Sequence, residues 1–327
     1  MYEQITSNKR KSLALLVGFL LLYAVLGYLL SLWFGDWVFG VVIVVAIVMI
    51  VVNLFAGDDL VLRVSGARQI HRKEEAPQLW RMIENLAITA GLPMPRVYVI
   101  EDNAPNAFAA GRTPKQAVVA STTGLLRRLD EEELEGVLAH EMTHIRNYDV
   151  RLMTYAAVLA GSIALISQIF IRGLWFGGGG DRDRGGGNIF ALVGVILALV
   201  LAPVAALIIQ TAISRRREYV ADAGGAELTR YPAGLASALR TIEASMKPSA
   251  ALSNPAIAHM MIAPPLRPGE RALRVFATHP PTEDRVAKLD ELAGGQQHNH
   301  ESLTEGAGMP AAVAAAPTPA DGTQPLA

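Results

Sequence analysis

Residues 130–160 read DEEELEGVLAHEMTHIRNYDVRLMTYAAVLA, and this stretch decides how the chain is organised. Asp130 can cap a helix, with Glu133 in the capping-box position three places on. Leu134, Val137, Leu138, Met142 and Ile145 then recur at helical spacing and predict a buried face. His140-Glu141-Met142-Thr143-His144 places two imidazoles four residues apart on one helix face, where both can reach one zinc ion. Glu141, beside them, is set to take a proton from a water acidified by the metal. From Leu152 onward charge disappears, so this helix runs almost directly into a stretch long enough to cross a membrane.

Composition agrees with lipid-buried segments. The chain is 51% hydrophobic and 18% charged, below the usual charged share of about 25%. Residues 12–35, 37–57, 152–171 and 185–214 lack charge for about the 20 residues that a helix needs to cross the hydrocarbon core, and all four are read as transmembrane helices. The first follows Lys9, Arg10 and Lys11, but its apolar run is too long for a signal peptide and has no small-residue cleavage site, so a retained anchor is expected. Trp33, Trp37 and Trp175 fall near predicted span ends, where amphipathic rings favour the interface. Arg63, Arg68, Arg146, Arg151 and Arg215 to Arg217 join the N-terminal basic cluster on one side, which predicts a cytosolic face for that side. The net charge of −1, without basic tracts, argues against nucleic-acid binding. With no cysteine in the chain, any metal must be held by His and carboxylates.

Between the second and third spans a helix is expected over 77–90, ended by Gly91 and Pro93, followed by strands at 96–100 and 116–120 and a short extended piece at 106–110. After the fourth span come an amphipathic helix around Leu235, Leu239 and Ile242 and a last helix from about Pro281 to Leu292. Five segments result: a hairpin 1–57, a first catalytic segment 58–151, a second hairpin 152–214, a second catalytic segment 215–293, and a tail 294–327. The tail is poor in large apolar residues and is expected to be disordered.

A third metal ligand is expected just past the fourth span, in Arg216-Arg217-Glu218-Tyr219-Val220-Ala221-Asp222. Two His and one Glu with an open position form a catalytic zinc arrangement, and Asp222, one turn beyond Glu218, can hold an imidazole N–H behind the ligands. The alternative for Glu218 is a salt bridge with Arg215 or Arg217 on a solvated helix. Two crossings separate His144 from Glu218, so all three ligands share one compartment.

These residues resemble the HtpX family of membrane-bound bacterial heat-shock proteases, relatives of the CAAX prenyl endoproteases, over residues 1 to about 293. The match includes Asn106-Ala107-Phe108-Ala109 and Thr278-His279-Pro280-Pro281-Thr282-Glu283-Asp284-Arg285. The resemblance implies one zinc ion on His140, His144 and Glu218, Glu141 as base, Asp222 orienting a ligand histidine, and proteolysis of damaged membrane proteins at the cytosolic face of a bacterial inner membrane. Within the matched motifs, His279 or Arg285 could supply the donor that steadies the oxyanion, or either could be structural. Asn106 to Ala109 could align an extended substrate by backbone pairing, or be an ordinary rim strand.

The fold class expected is a multi-pass helical membrane protein with a cytosolic α+β zincin domain of gluzincin type. Its partners would be protein or peptide substrates and the lipid bilayer; whether it works with an ATP-dependent protease is left open by the sequence. The rival is a catalytically silent membrane scaffold with a structural zinc, which needs a fourth ligand such as Asp149 or His279. A metal transporter would need ionisable residues within the spans, and the four cores have none.

Overall fold

The computed structural model describes residues 2–176, 204, 207, 208, 214–245, 255–263 and 280–306. Helix α1 (Tyr2–Phe34) turns at Gly35, whose φ of 94° suits a residue without a Cβ, into α2 (Trp37–Val64). Both are long and apolar enough to cross a membrane, with mean hydropathies of 2.5 and 3.1 over their apolar stretches. Only 17% and 11% of those stretches are buried, whereas a soluble protein's core helix would be mostly covered. Leu13, Leu21, Val25 and Leu32 on α1 and Val44, Val48 and Phe55 on α2 present their apolar side chains outward. Trp37 is exposed at the hairpin tip.

Both helices outrun the apolar limits read from sequence, because hydrophobicity marks the buried-in-lipid part and not where helical hydrogen bonding stops. α1 begins ten residues before Ser12, and Asn8 and Ser12 are buried in those first turns. α2 continues past Gly57 to Val64, and Asp58 forms an ion pair of 2.5 Å with Arg96.

The soluble part is built on a four-stranded mixed sheet in the order β1-β2-β4-β3: β1 (Arg68–Ile70), β2 (Arg96–Ile100), β3 (Ala107–Ala110) and β4 (Val118–Thr122). β2 and β4 are parallel, with Tyr98 opposite Ala120; β3 runs antiparallel to β4 at the sheet edge, with Phe108 opposite Ala120. The strand expected over 116–120 begins at Val118, because Pro114–Gln116 form a 3-10 turn in which Pro114 presets φ. α3 (Pro77–Ala90) lays Leu79, Met82, Ile83 and Leu86 into the core and stops at Gly91 in the left-handed conformation, φ 65°.

A short α4 (Thr123–Arg128) leads to α5 (Glu131–Arg146). Asp130 Oδ1 accepts from the Glu133 N–H at 2.8 Å and Glu133 Oε2 accepts from the Asp130 N–H at 3.2 Å, which closes the capping box. Leu138, Met142 and Ile145 are fully buried, each worth about 1.5–3 kcal/mol of transfer free energy. Tyr148, at φ 61°, re-aims the chain from α5 into α6 (Asp149–Phe176), which contains the third expected span. The fourth expected span lies outside the described residues except at 204, 207, 208 and 214, as do the side chains of Trp33 and Trp175.

α7 (Arg215–Thr229) packs along α5, followed by α8 (Pro232–Ala244), the single turn α9 (Pro255–Ala258) and α10 (Thr282–Gly306). α10 runs to Gly306, past residue 294 where the tail was expected to begin. No proline lies between Thr282 and Pro310 to interrupt it. Residues 307–327 lie outside the described set.

Candidate metal centre

The expected ligands converge. His140 Nε2 and His144 Nε2 are 3.1 Å apart, His140 Nε2 lies 3.9 Å from Glu218 Oε2, and His144 Nε2 lies 3.7 Å from Glu218 Oε1. Tetrahedral zinc with bonds of about 2.0–2.1 Å spaces neighbouring ligand atoms by roughly 3.3–3.4 Å, so the donor set fits. Two imidazoles and a carboxylate are also a chemically apt set for zinc. Among the described residues this group has three members, all buried. Helical spacing accounts for the first two; the third depends on how closely α7 approaches α5. A Cβ at Gly225 would lie 3.0 Å from the His140 amide nitrogen, and one at Gly224 would lie 2.5 Å from Thr143 Cγ2. The glycine pair therefore permits the approach that brings Glu218 to the histidines.

Behind each imidazole stands a carboxylate. Asp222 Oδ1 is 2.9 Å from His140 Nδ1 and Asp149 Oδ2 is 3.0 Å from His144 Nδ1. Each Nδ1–H can donate to its carboxylate, which leaves the Nε2 lone pairs pointing at the shared centre. Sequence reading anticipated Asp222; it considered Asp149 only as a fourth ligand. The structure corrects that, since Asp149 meets the ring nitrogen remote from Glu218. Its signal was a carboxylate five residues after His144 at the first turn of the next helix.

Arg285 stands beside Asp222. It is buried, with Nη2 donating to Asp222 Oδ1 at 2.6 Å, Nε to Asp222 Oδ2 at 2.9 Å and Nη1 to the Ile262 carbonyl at 3.3 Å. Nη1 also lies 3.9 Å from Glu218 Oε2, so the guanidinium bridges the carboxylate behind His140 and the expected carboxylate ligand. The 3.4 Å approach of Nη2 to His140 Nδ1 is not a hydrogen bond when that nitrogen carries the proton shared with Asp222. Burial raises the Asp222 carboxyl's affinity for protons, but the Arg285 charge and hydrogen bonds with Arg285 and His140 outweigh it and hold its pKa down at about 2. His279 lies outside the described residues.

Glu141 is 1% exposed, its Oε2 has no hydrogen-bond partner among the described residues, and the Ala109 N–H donates to its carboxylate. Burial, reinforced by the Glu218 charge and opposed by His144, Ala109 and Arg285, pushes its pKa up to about 7. For His144, burial lowers the pKa, yet the hydrogen bond with Asp149 and the nearby carboxylates carry it to about 9; for His140, burial wins and the shift is downward.

Asn106 to Ala109 lie where an edge strand was expected. That edge, however, is already occupied by the chain itself. The Ala107 carbonyl accepts from the Ile262 N–H at 3.1 Å, Asn106 Nδ2 donates to the Ala263 carbonyl at 2.7 Å, and the Ala109 N–H faces Glu141. A substrate pairing at Ala107 would have to displace Ile262 and Ala263.

The sequence pattern described as Peptidase family M48 matches residues 73–293. The Protease HtpX homolog of Limosilactobacillus fermentum is 44% identical over 300 residues, covering 89% of this chain and 100% of its own. That of Levilactobacillus brevis is 45% identical over 302 residues with the same coverages, and that of Tropheryma whipplei strain Twist 44% over 292 residues, covering 89% and 98%. The crystal structure of S. mikatae Ste24p aligns at 20% identity and a TM-score of 0.43, covering 88% of this chain and 66% of that one.

Proposed function

The chain belongs to peptidase family M48, and from that premise we propose that it is a membrane-anchored zinc endopeptidase whose ligands are His140, His144 and Glu218 and whose general base is Glu141. It is a metalloprotease, a hydrolase acting on proteins. The observation that carries the assignment of roles is the meeting of two Nε2 atoms and a Glu218 carboxylate beside a Glu141 oxygen that has no partner among the described residues.

Zinc bound there would supply Lewis acidity, polarising a peptide carbonyl and making water a nucleophile near neutral pH. Glu141, with a pKa of about 7, takes a proton from the attacking water as its oxygen bonds to the carbonyl carbon. It passes that proton to the leaving nitrogen as the C–N bond breaks, so the carboxylate is regenerated. The Ala109 N–H steadies one side of Glu141 while Oε2 remains available to the water. Asp222 and Asp149 fix the tautomers of the two histidines, and Arg285 locks Asp222 in place. The oxyanion donor in this reading is His279 or Arg285, whose Nη1 lies 3.9 Å from Glu218 Oε2. Asn106 to Ala109 align the substrate once Ile262 and Ala263 move aside.

In this reading four spans cross a bacterial inner membrane, and the basic flanks set the active site on the cytosolic side. The substrates are misfolded or damaged proteins, chiefly of the membrane, in keeping with relatives named as HtpX proteases. The test is Glu141→Gln in the detergent-solubilised full chain. Zinc stoichiometry should stay near one per chain while cleavage of an unfolded protein falls by at least about 10²-fold; unchanged hydrolysis would reject the role of Glu141.

A further inference from the structure

The first turns of α1 reach the metal centre. Asn8 is buried, and its Nδ2 donates to Asp149 Oδ1 at 2.6 Å and to the Asn147 carbonyl at 3.0 Å. Both partners are acceptors, so only the N–H side of the amide can face them. The other Asp149 oxygen, Oδ2, is the one against His144 Nδ1. Lys9 Nζ, the next residue, sits 4.6 Å from the centre of the Tyr148 ring. Residues 8 and 9 thus hold 147, 148 and 149 together at the joint between α5 and α6, where Tyr148 has its positive φ.

We propose that Asn8 is a positioning residue for the metal centre: by fixing the Asp149 carboxylate against His144 Nδ1, it lets the N-terminal membrane helix set the orientation of a zinc ligand. The proposal rests on the zinc assignment above. Its physical basis is the short, charge-assisted bond to Asp149. Without it the carboxylate keeps Arg217, 3.9 Å away, as its other charged neighbour and can rotate off the imidazole. His144 then loses the acceptor that fixes its tautomer. Nothing in the local sequence around Asn8 signals this, since the partner lies 141 positions away.

The experiment compares Asn8→Ala, the near-isosteric Asn8→Asp, Asp149→Asn and the double variant Asn8→Ala/Asp149→Asn in the full chain in detergent. Zinc affinity is read by chelator competition, and ligand geometry by the visible absorption of the cobalt-substituted protein. Phe19→Leu, which loosens α1 farther along, is the packing control. Both Asn8 variants should weaken zinc roughly tenfold and shift the cobalt spectrum. Phe19→Leu should lower Tm alone, and Asn8→Ala should add less than about twofold once Asp149 is Asn. Parent-like zinc affinity and cobalt spectrum in Asn8→Asp, or full additivity with Asp149→Asn, would overturn the proposal. A parent chain that takes up no zinc would instead overturn the assignment on which it rests.

Discussion

Glu141 and Asp222 are both buried carboxyl groups, yet their surroundings push them in opposite directions. Glu141 is raised to about 7 because burial dominates and the Glu218 charge adds to it, which suits a base working near neutrality. Asp222 is lowered to about 2 because Arg285 and His140 outweigh its burial. A depressed carboxyl stabilises the fold above its ordinary pKa of 3.8, and that contribution is lost as the pH falls toward 2. Its magnitude is on the order of 2 kcal/mol. Acid unfolding of the zinc-free chain, followed by circular dichroism, should therefore depend steeply on pH between those values. Asp222→Asn should flatten the dependence there while lowering stability at neutral pH, because Arg285 loses its partner; an unchanged acid profile would count against the ion pair. At this scale the sequence identified residue types whose geometry is local. His140, Glu141 and His144 follow from helical spacing, and Asp222 from its place one turn past Glu218. The commitment of Arg285 to Asp222, the place of Asp149 and the reach of Asn8 follow from tertiary contacts, which spacing does not encode.

The elements that matter most are α5 and α7, and their separation is set by residues that lack side chains. A Cβ at Gly225 would press on the backbone of His140, which cannot swing aside as a long side chain can. Gly225→Ala should push α7 away from α5, weaken zinc binding by about tenfold in chelator competition, and cost about 1–3 kcal/mol in denaturant unfolding. Parent-like values for both would show that the helices have slack. α5 was readable because its cap, apolar stripe and end all agree. β2 and α3 carried comparable signals, whereas β1 is three residues long and gains its strand form only by pairing with β2. The start of β4 was misplaced because Gln116 closes the 3-10 turn begun at Pro114 and pairing with the neighbouring strands starts only at Val118. That Ile262 and Ala263 would bond to the β3 edge is a contact between distant segments, beyond the reach of any local pattern.

At the scale of the whole molecule, a family M48 catalytic domain is joined to two exposed apolar helices, and the putting together of the site requires parts of the chain that lie far apart. α1 contributes Asn8, α5 the two histidines and Glu141, α6 Asp149, α7 Glu218 and Asp222, and α10 Arg285. Hydropathy made the two long apolar helices legible, and the expectation that the chain crosses twice and returns to one side pointed to a meeting of His144 and Glu218. The central claim is that these distant segments close on a single zinc ion. X-ray absorption at the zinc edge, recorded on the purified full chain and on Glu218→Ala, tests it most directly. The account predicts one zinc per chain with two imidazole nitrogens and carboxylate or water oxygens at about 2.0–2.2 Å, and loss of an oxygen ligand or of the zinc in the variant. A third imidazole in the parent, or an identical spectrum and zinc content in Glu218→Ala, would contradict it.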